Sequence, residues 1–304
     1  MNPRRKFQLA AAFGSVGLVA TALVTATPAS AQPVVVPCSV TDLVTAITNA
    51  NTAGSGDLML TNGCTYSLTS PVSVPAELGL PQITGDIHID GLGATITRST
   101  TATQLFRIFD VAPGGQLTLG TVTLTGGTAT GDGGAITNAG TLTLNAAQIT
   151  KNVAGGSGGG IANTGTLNAT ASRITGNTAA TGGGGLFNSI AAATANLRAS
   201  SVDGNTTTGG NGGGILNNGG NITGDLSSLG SNSATGTTSS GGGIATVGGT
   251  VKLALDAVTD NKSSTVPGGI RNDGGTVSLL LTGVLNNLPS NCSGSPTLVP
   301  GCLN

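Results

Sequence analysis

The sequence predicts an all-β fold, a parallel β-helix of about seven to nine coils of roughly 25–29 residues with a short N-terminal capping helix. Three observations predict it. Glycine supplies 52 of 304 residues with no Gly-X-Y period, well above the usual ~7%. A Gly-Gly-(Gly/Ala)-Ile/Leu step recurs at Ile136, Ile161, Leu186, Ile215, Ile244 and Ile270. Between these steps apolar and polar residues alternate with period two, as in Thr141-Leu142-Thr143-Leu144, which is the spacing of a half-buried strand.

Composition excludes other classes. Charged residues make up 8% of the chain and aromatics 2%, while 38% is hydrophobic and the formal charge is −1. Disorder requires low hydrophobicity with high net charge, and a nucleic-acid binder requires a basic surface. Neither fits.

Residues 1–31 read as an export signal: Arg4-Arg5-Lys6, an apolar run from Phe7 to about Val24, then Ala29-Ser30-Ala31 before Gln32, with cleavage expected after Ala31. The arginine pair resembles a twin-arginine signal, although Gln8 stands where that motif has a second apolar residue. The twin-arginine and general secretory routes both stay open. Cleavage leaves 8 basic against 12 acidic residues, a charge of 8 − 12 = −4. No other apolar run is long enough to span a bilayer.

Residues 32–80 read as the N-terminal cap and first strands. Ser39-Val40-Thr41-Asp42 matches a capping box, and Leu43, Ala46, Ile47 and Ala50 share one helical face. A helix over 39–51 is therefore expected to cover the open end of the core. Four cysteines in an exported chain imply disulfides, and the simplest of three connectivities joins Cys38 to Cys64 and Cys292 to Cys302. Neither pair has metal-ligand spacing, and His88 is the only histidine, so no metal or other cofactor is expected.

Residues 81–288 carry the β-helix and 289–304 a C-terminal cap or tail. A marker asparagine closes each unit at Asn152, Asn177, Asn205, Asn232, Asn261 and Asn287. Ten residues before it stands an apolar column from Leu117 and Leu142 to Val277; three before it stands another from Leu124 and Ile149 to Val284. About three short strands per unit are expected, with insertions only between the marker and the next Gly-Gly. Glycine pairs suit tight corners, and asparagines at fixed column positions suit stacked amide ladders.

The opening Cys38-Ser39, Gly63-Cys64-Thr65-Tyr66, Ile87-His88-Ile89-Asp90-Gly91, Phe106-Arg107-Ile108-Phe109 and the Gly-Gly-x-Ile coils resemble secreted bacterial right-handed parallel β-helix repeat proteins. The Gly-Gly-Ala-Ile step is also similar to repeats of polymorphic outer-membrane proteins and adhesins. The resemblance covers about residues 37–290 and implies a right-handed solenoid at the cell surface. It implies little about activity, because one fold hosts many functions. No C-terminal membrane-barrel pattern follows the coils.

Pectin-lyase-like β-helix enzymes, polysaccharide lyases and glycoside hydrolases, use clustered carboxylates and a basic residue. The densest patch of that kind is Asp86-Ile87-His88-Ile89-Asp90, where alternation puts Asp86, His88 and Asp90 on one face. Arg98, Arg107 and Asp110 follow within the next coil, and Asp203, Asp225, Asp256, Asp260, Arg173 and Arg198 are scattered over the central coils. This inventory is sparse for catalysis, and an outward polar strand face accounts for Asp86, His88 and Asp90 equally well. The outward positions flanking the first apolar column instead form a nearly uncharged lattice that includes Thr118, Thr141, Thr143, Thr166, Thr194, Thr223, Thr250 and Thr276, interrupted by Lys252. Such a face resembles the Thr-x-Thr arrays of ice-binding β-helices, and it also suits a flat polysaccharide. The expectation is a secreted, non-enzymatic structural element or adhesin that contacts polysaccharide or cell-surface components, with a carbohydrate-active enzyme as the alternative and ice binding as a minor one. The sequence sets no oligomeric state.

Overall fold

The computed structural model describes residues 32–303, so the expected export segment lies outside the described residues. Their strands stack into four parallel sheets of ten, nine, seven and six strands, called here the first to fourth. One coil runs through Ile136–Asn138 in the third sheet, Thr141–Asn145 in the first, Gln148–Thr150 in the second and Val153–Ala154 in the fourth. Coils between Phe109 and Ser263 thus contribute four strands each, not three. The additional strand is two residues long, too short for an alternating pattern to mark it.

Both apolar columns point inward. Leu117, Leu142, Leu167 and their successors in the first sheet pair residue for residue, as do Leu124, Ile149 and Ile174 in the second, and all are buried. The marker asparagines form a buried ladder. The Nδ2 of Asn152, Asn177, Asn205, Asn232 and Asn261 each donates to the Oδ1 of the next member at 2.9–3.1 Å. A second ladder runs Asn138, Asn163, Asn188, Asn217 and ends on the Thr246 hydroxyl. These amides occupy a largely apolar interior, and mutual pairing offsets the cost of burying them; Asn138 Oδ1, at the start of the second ladder, is buried without a hydrogen bond.

The N-terminal end is closed by one helix, α1 (Val40–Ala53). Ser39 caps it, its hydroxyl accepting from the Asp42 N–H, and Gly54 ends it at φ 81°. Leu43, Ile47 and Ala50 are buried, and Ala46 is packed at the edge of the core. Cys38 and Cys64 stand at disulfide distance, Cα–Cα 5.7 Å, as do Cys292 and Cys302 at 6.3 Å.

Two expectations about loops and corners need correction. Insertions do not fall only after the marker: Ile190, Ala191 and Ala192 lengthen the link between Leu186–Ser189 and Thr194–Arg198, because that link also faces solvent and can grow without moving the core. Glycine does serve several corners, with Gly114, Gly219 and Gly274 at positive φ between the third and first sheets. Gly158 has φ +70°, and a β-carbon on Gly159 would strike the carbonyl oxygens of Gly184 and Thr178. The bend between the first and second sheets, however, places non-glycine residues at positive φ, including Leu92, Thr121, Ala146, Ala171, Ala199, Leu226, Leu255 and Leu281.

Candidate functional site

The outward face of the first sheet carries the residues singled out above. Strand Asp86–Asp90 buries Ile87 and Ile89 and turns Asp86, His88 and Asp90 outward. Its neighbour Ser55–Leu60 pairs Asp57 with His88. The imidazole therefore lies between two carboxylates, Nδ1 3.2 Å from Asp57 Oδ1 and Nε2 3.3 Å from Asp86 Oδ1. Asp57 belongs to a coil before the regular repeat, and only strand pairing reveals it. Asp90 is engaged elsewhere, accepting from the Leu92 N–H and the Thr121 hydroxyl. The His88 side chain is 54% exposed and that of Asp57 56%, so the trio sits on an open face, not in a cleft.

From His88 the same outward column continues through Thr118, Thr143, Asn168, Asn196, Thr223 and Lys252. The parallel column runs from Asp86 through Gln116, Thr141, Thr166, Thr194 and Asn221 to Thr250 and Thr276. Side chains two apart along a strand lie about 6.7 Å from each other, and coils stack at about 4.8 Å. Neighbours on this lattice also bond: Asn196 Nδ2 donates to Asn168 Oδ1 at 2.9 Å, and Thr194 to Thr166 at 3.4 Å.

Of the remaining charged candidates, Arg173 is exposed at the start of strand Arg173–Thr175 and Asp260 follows strand Ala257–Thr259; the others are held by local structure. Arg98 donates to the Ala102 and Gln104 carbonyls and lies 5.3 Å from the Phe106 ring centre. Arg107 donates to the carbonyls of Ala76 and Asp132. Arg198 and Asp225, adjacent in one column, approach to 3.8 Å. Asp203 accepts from the Gly230 N–H. Asp256 is buried and accepts from the Ser227 and Ala254 N–H groups. Burial raises its pKa, the two backbone donors oppose the shift, and Asp225 adds to it.

A groove of about 360 Å³ lies on a different face, along the third sheet, lined by Gln82, Asp110, Pro113, Asp132, Thr137 and Ala162 among others. Of these only Asp110 was a sequence candidate. Among the described residues no group of three or more His, Cys, Asp or Glu side chains is arranged to hold a metal ion, and no helix is long and apolar enough to cross a membrane. No family model, curated protein or solved structure matches the chain.

Proposed function

We propose that the chain is exported and acts, without catalysis, as a surface or matrix solenoid that adheres to a repetitive polysaccharide through the outward face of the first sheet. The observation that carries this reading is the residue-for-residue register of that face, which sets hydroxyls and amides on a regular, almost uncharged lattice. A repetitive polymer can meet such a lattice at many equivalent points, so weak contacts add along its length. The two disulfides suit an oxidising compartment. Adsorption of the purified chain to insoluble polysaccharides tests the reading, with a Thr143→Lys/Thr166→Lys double variant beside it. Binding by wild type and loss in the variant are expected; equal adsorption of both removes this face from the reading. Ice is the lesser reading of the same lattice, and thermal hysteresis measured on the same pair tests it.

A carbohydrate-active enzyme is the second reading, favoured by the placement of His88 between Asp57 and Asp86. General acid–base catalysis supplies ~10²–10⁴-fold. If the trio is catalytic, His88→Ala abolishes polysaccharide cleavage. On the adhesive reading there is no cleavage to lose, and adsorption falls far less than in the Thr143→Lys/Thr166→Lys variant, because His88 stands at one end of the lattice.

A further inference from the structure

Along the third sheet the outward column reads Asp110, Thr137, Ala162, Phe187 and Leu216 in direct register. Its chemistry passes from a carboxylate through a hydroxyl to an aromatic ring. The groove covers the first three of these positions, with Pro113 and Thr164 just past strand ends and Asp132 in the turn before Ile136.

One wall is fixed from the helix. Asn51, in the last turn of α1, donates to the Gln82 carbonyl at 2.8 Å and accepts from the Thr84 and Gly85 N–H groups. The Gln82 amide in turn donates to Asp110 Oδ1 at 2.8 Å, and the Thr137 hydroxyl donates to Oδ2 at 2.7 Å. Each carboxylate oxygen has two acceptor sites, so Asp110 keeps accepting capacity in a preset orientation. Its partners are neutral, and among the described residues no ion pair engages it. Asp132 is likewise oriented, accepting the Ser157 N–H at 2.6 Å.

Phe187 supplies the second, independent feature. Tyr66, Phe106 and Phe109 are buried, whereas Phe187 alternates outward between buried Leu186 and Asn188 and is partly exposed. Among the described residues it is the one aromatic side chain turned to solvent. It stands one coil, about 4.8 Å, beyond Ala162.

A ligand for this line must offer several hydroxyl donors to the acceptors and an apolar face to the ring. Two carboxylates disfavour an anion, and the volume falls in the range of small-molecule sites. We propose that the groove binds a neutral oligosaccharide, with Asp110 and Asp132 accepting its hydroxyl hydrogen bonds and Phe187 stacking on a sugar ring. The site lies on a different sheet from the flat face and stands or falls without it.

The test is titration calorimetry of the purified chain with short cello-, xylo-, manno- and chito-oligosaccharides, with oligogalacturonate as the acidic control. At least one neutral ligand is expected to bind, and oligogalacturonate more weakly. Phe187→Ala should weaken that binding roughly tenfold, and Asp110→Asn should weaken it too. Thr164→Trp, at an exposed position on the rim, should block the groove without disturbing the core. Thermal melts confirm folding of each variant. The Thr143→Lys/Thr166→Lys variant should retain the calorimetric signal even where it no longer adsorbs to polymer. Binding by no neutral member of the panel, a preference for oligogalacturonate, or affinities unmoved in both Phe187→Ala and Thr164→Trp would overturn the proposal.

Discussion

Asn205 is fully buried, yet its amide is saturated. Nδ2 donates to Asn232 Oδ1 and to the Ile174 carbonyl, while Oδ1 accepts from both the backbone and side-chain nitrogens of Asn177. Asn205→Leu has nearly the right volume but orphans several of these groups, each costing ~1–3 kcal/mol. Urea unfolding should show a loss of at least ~3 kcal/mol, against under ~1 for Asn196→Leu, whose partner Asn168 can turn to water. Equal losses would show that the interior ladder is not what holds the coils. Asp256 gives a pH signature. Its folded-state pKa is raised, so as pH climbs from the ordinary aspartate value the unfolded chain releases the proton first and stability falls until the folded carboxyl also ionises. The column it ends is otherwise serine, Ser172, Ser200 and Ser227, each hydroxyl accepting the N–H one coil earlier. Asp256→Ser should therefore flatten the pH dependence of the melting temperature across that window; an unchanged slope would sink this assignment. The asparagines were legible in the sequence because they recur at near-constant intervals. Asp256 was legible only as one scattered charge and its burial was not, since its column changes residue type, and the groove was not, because Asp110, Thr137, Ala162 and Phe187 come from four coils and meet only through register.

Among elements, strands of five residues were readable and strands of two were not, because alternation needs several residues to declare itself. The helix was readable for the opposite reason: Ser39, Asp42 and the Leu43, Ile47, Ala50 face supply three concordant signals within one segment. The bend between the first two sheets escaped notice because its residues look ordinary. Left-handed backbone costs ~1–2 kcal/mol for a residue with a β-carbon and less for asparagine. Leu255 combines φ 58° with an exposed side chain, so it bears this strain without repaying it through packing. Leu255→Asn should raise stability by about 0.5–1 kcal/mol in chemical denaturation, while the same change at buried Leu253 should be severely destabilising. A destabilised Leu255→Asn would mean that the leucine makes contacts which outweigh its backbone.

At the scale of the whole solenoid, each coil bonds chiefly to the one before and the one after, and stability becomes a sum of similar interfaces. Deleting residues 139–163 joins Asn138 to Thr164 and removes one coil of 25 residues, the spacing between paired Ile136 and Ile161. The shortened chain should fold cooperatively with a smaller urea m-value; a molten or aggregated product would show that coils are not interchangeable. The same connectivity has a mechanical consequence. The hydrogen bonds of all four sheets and both ladders run from coil to coil, so tension applied along the stacking direction loads successive interfaces in series and opens the weakest first. Force should peel the body one coil at a time. Each release should lengthen the tether by roughly 25 residues at ~3.5 Å apiece, about 90 Å. A single-molecule extension trace would then show a train of nearly even steps in place of one rupture, as in a fabric that ravels row by row.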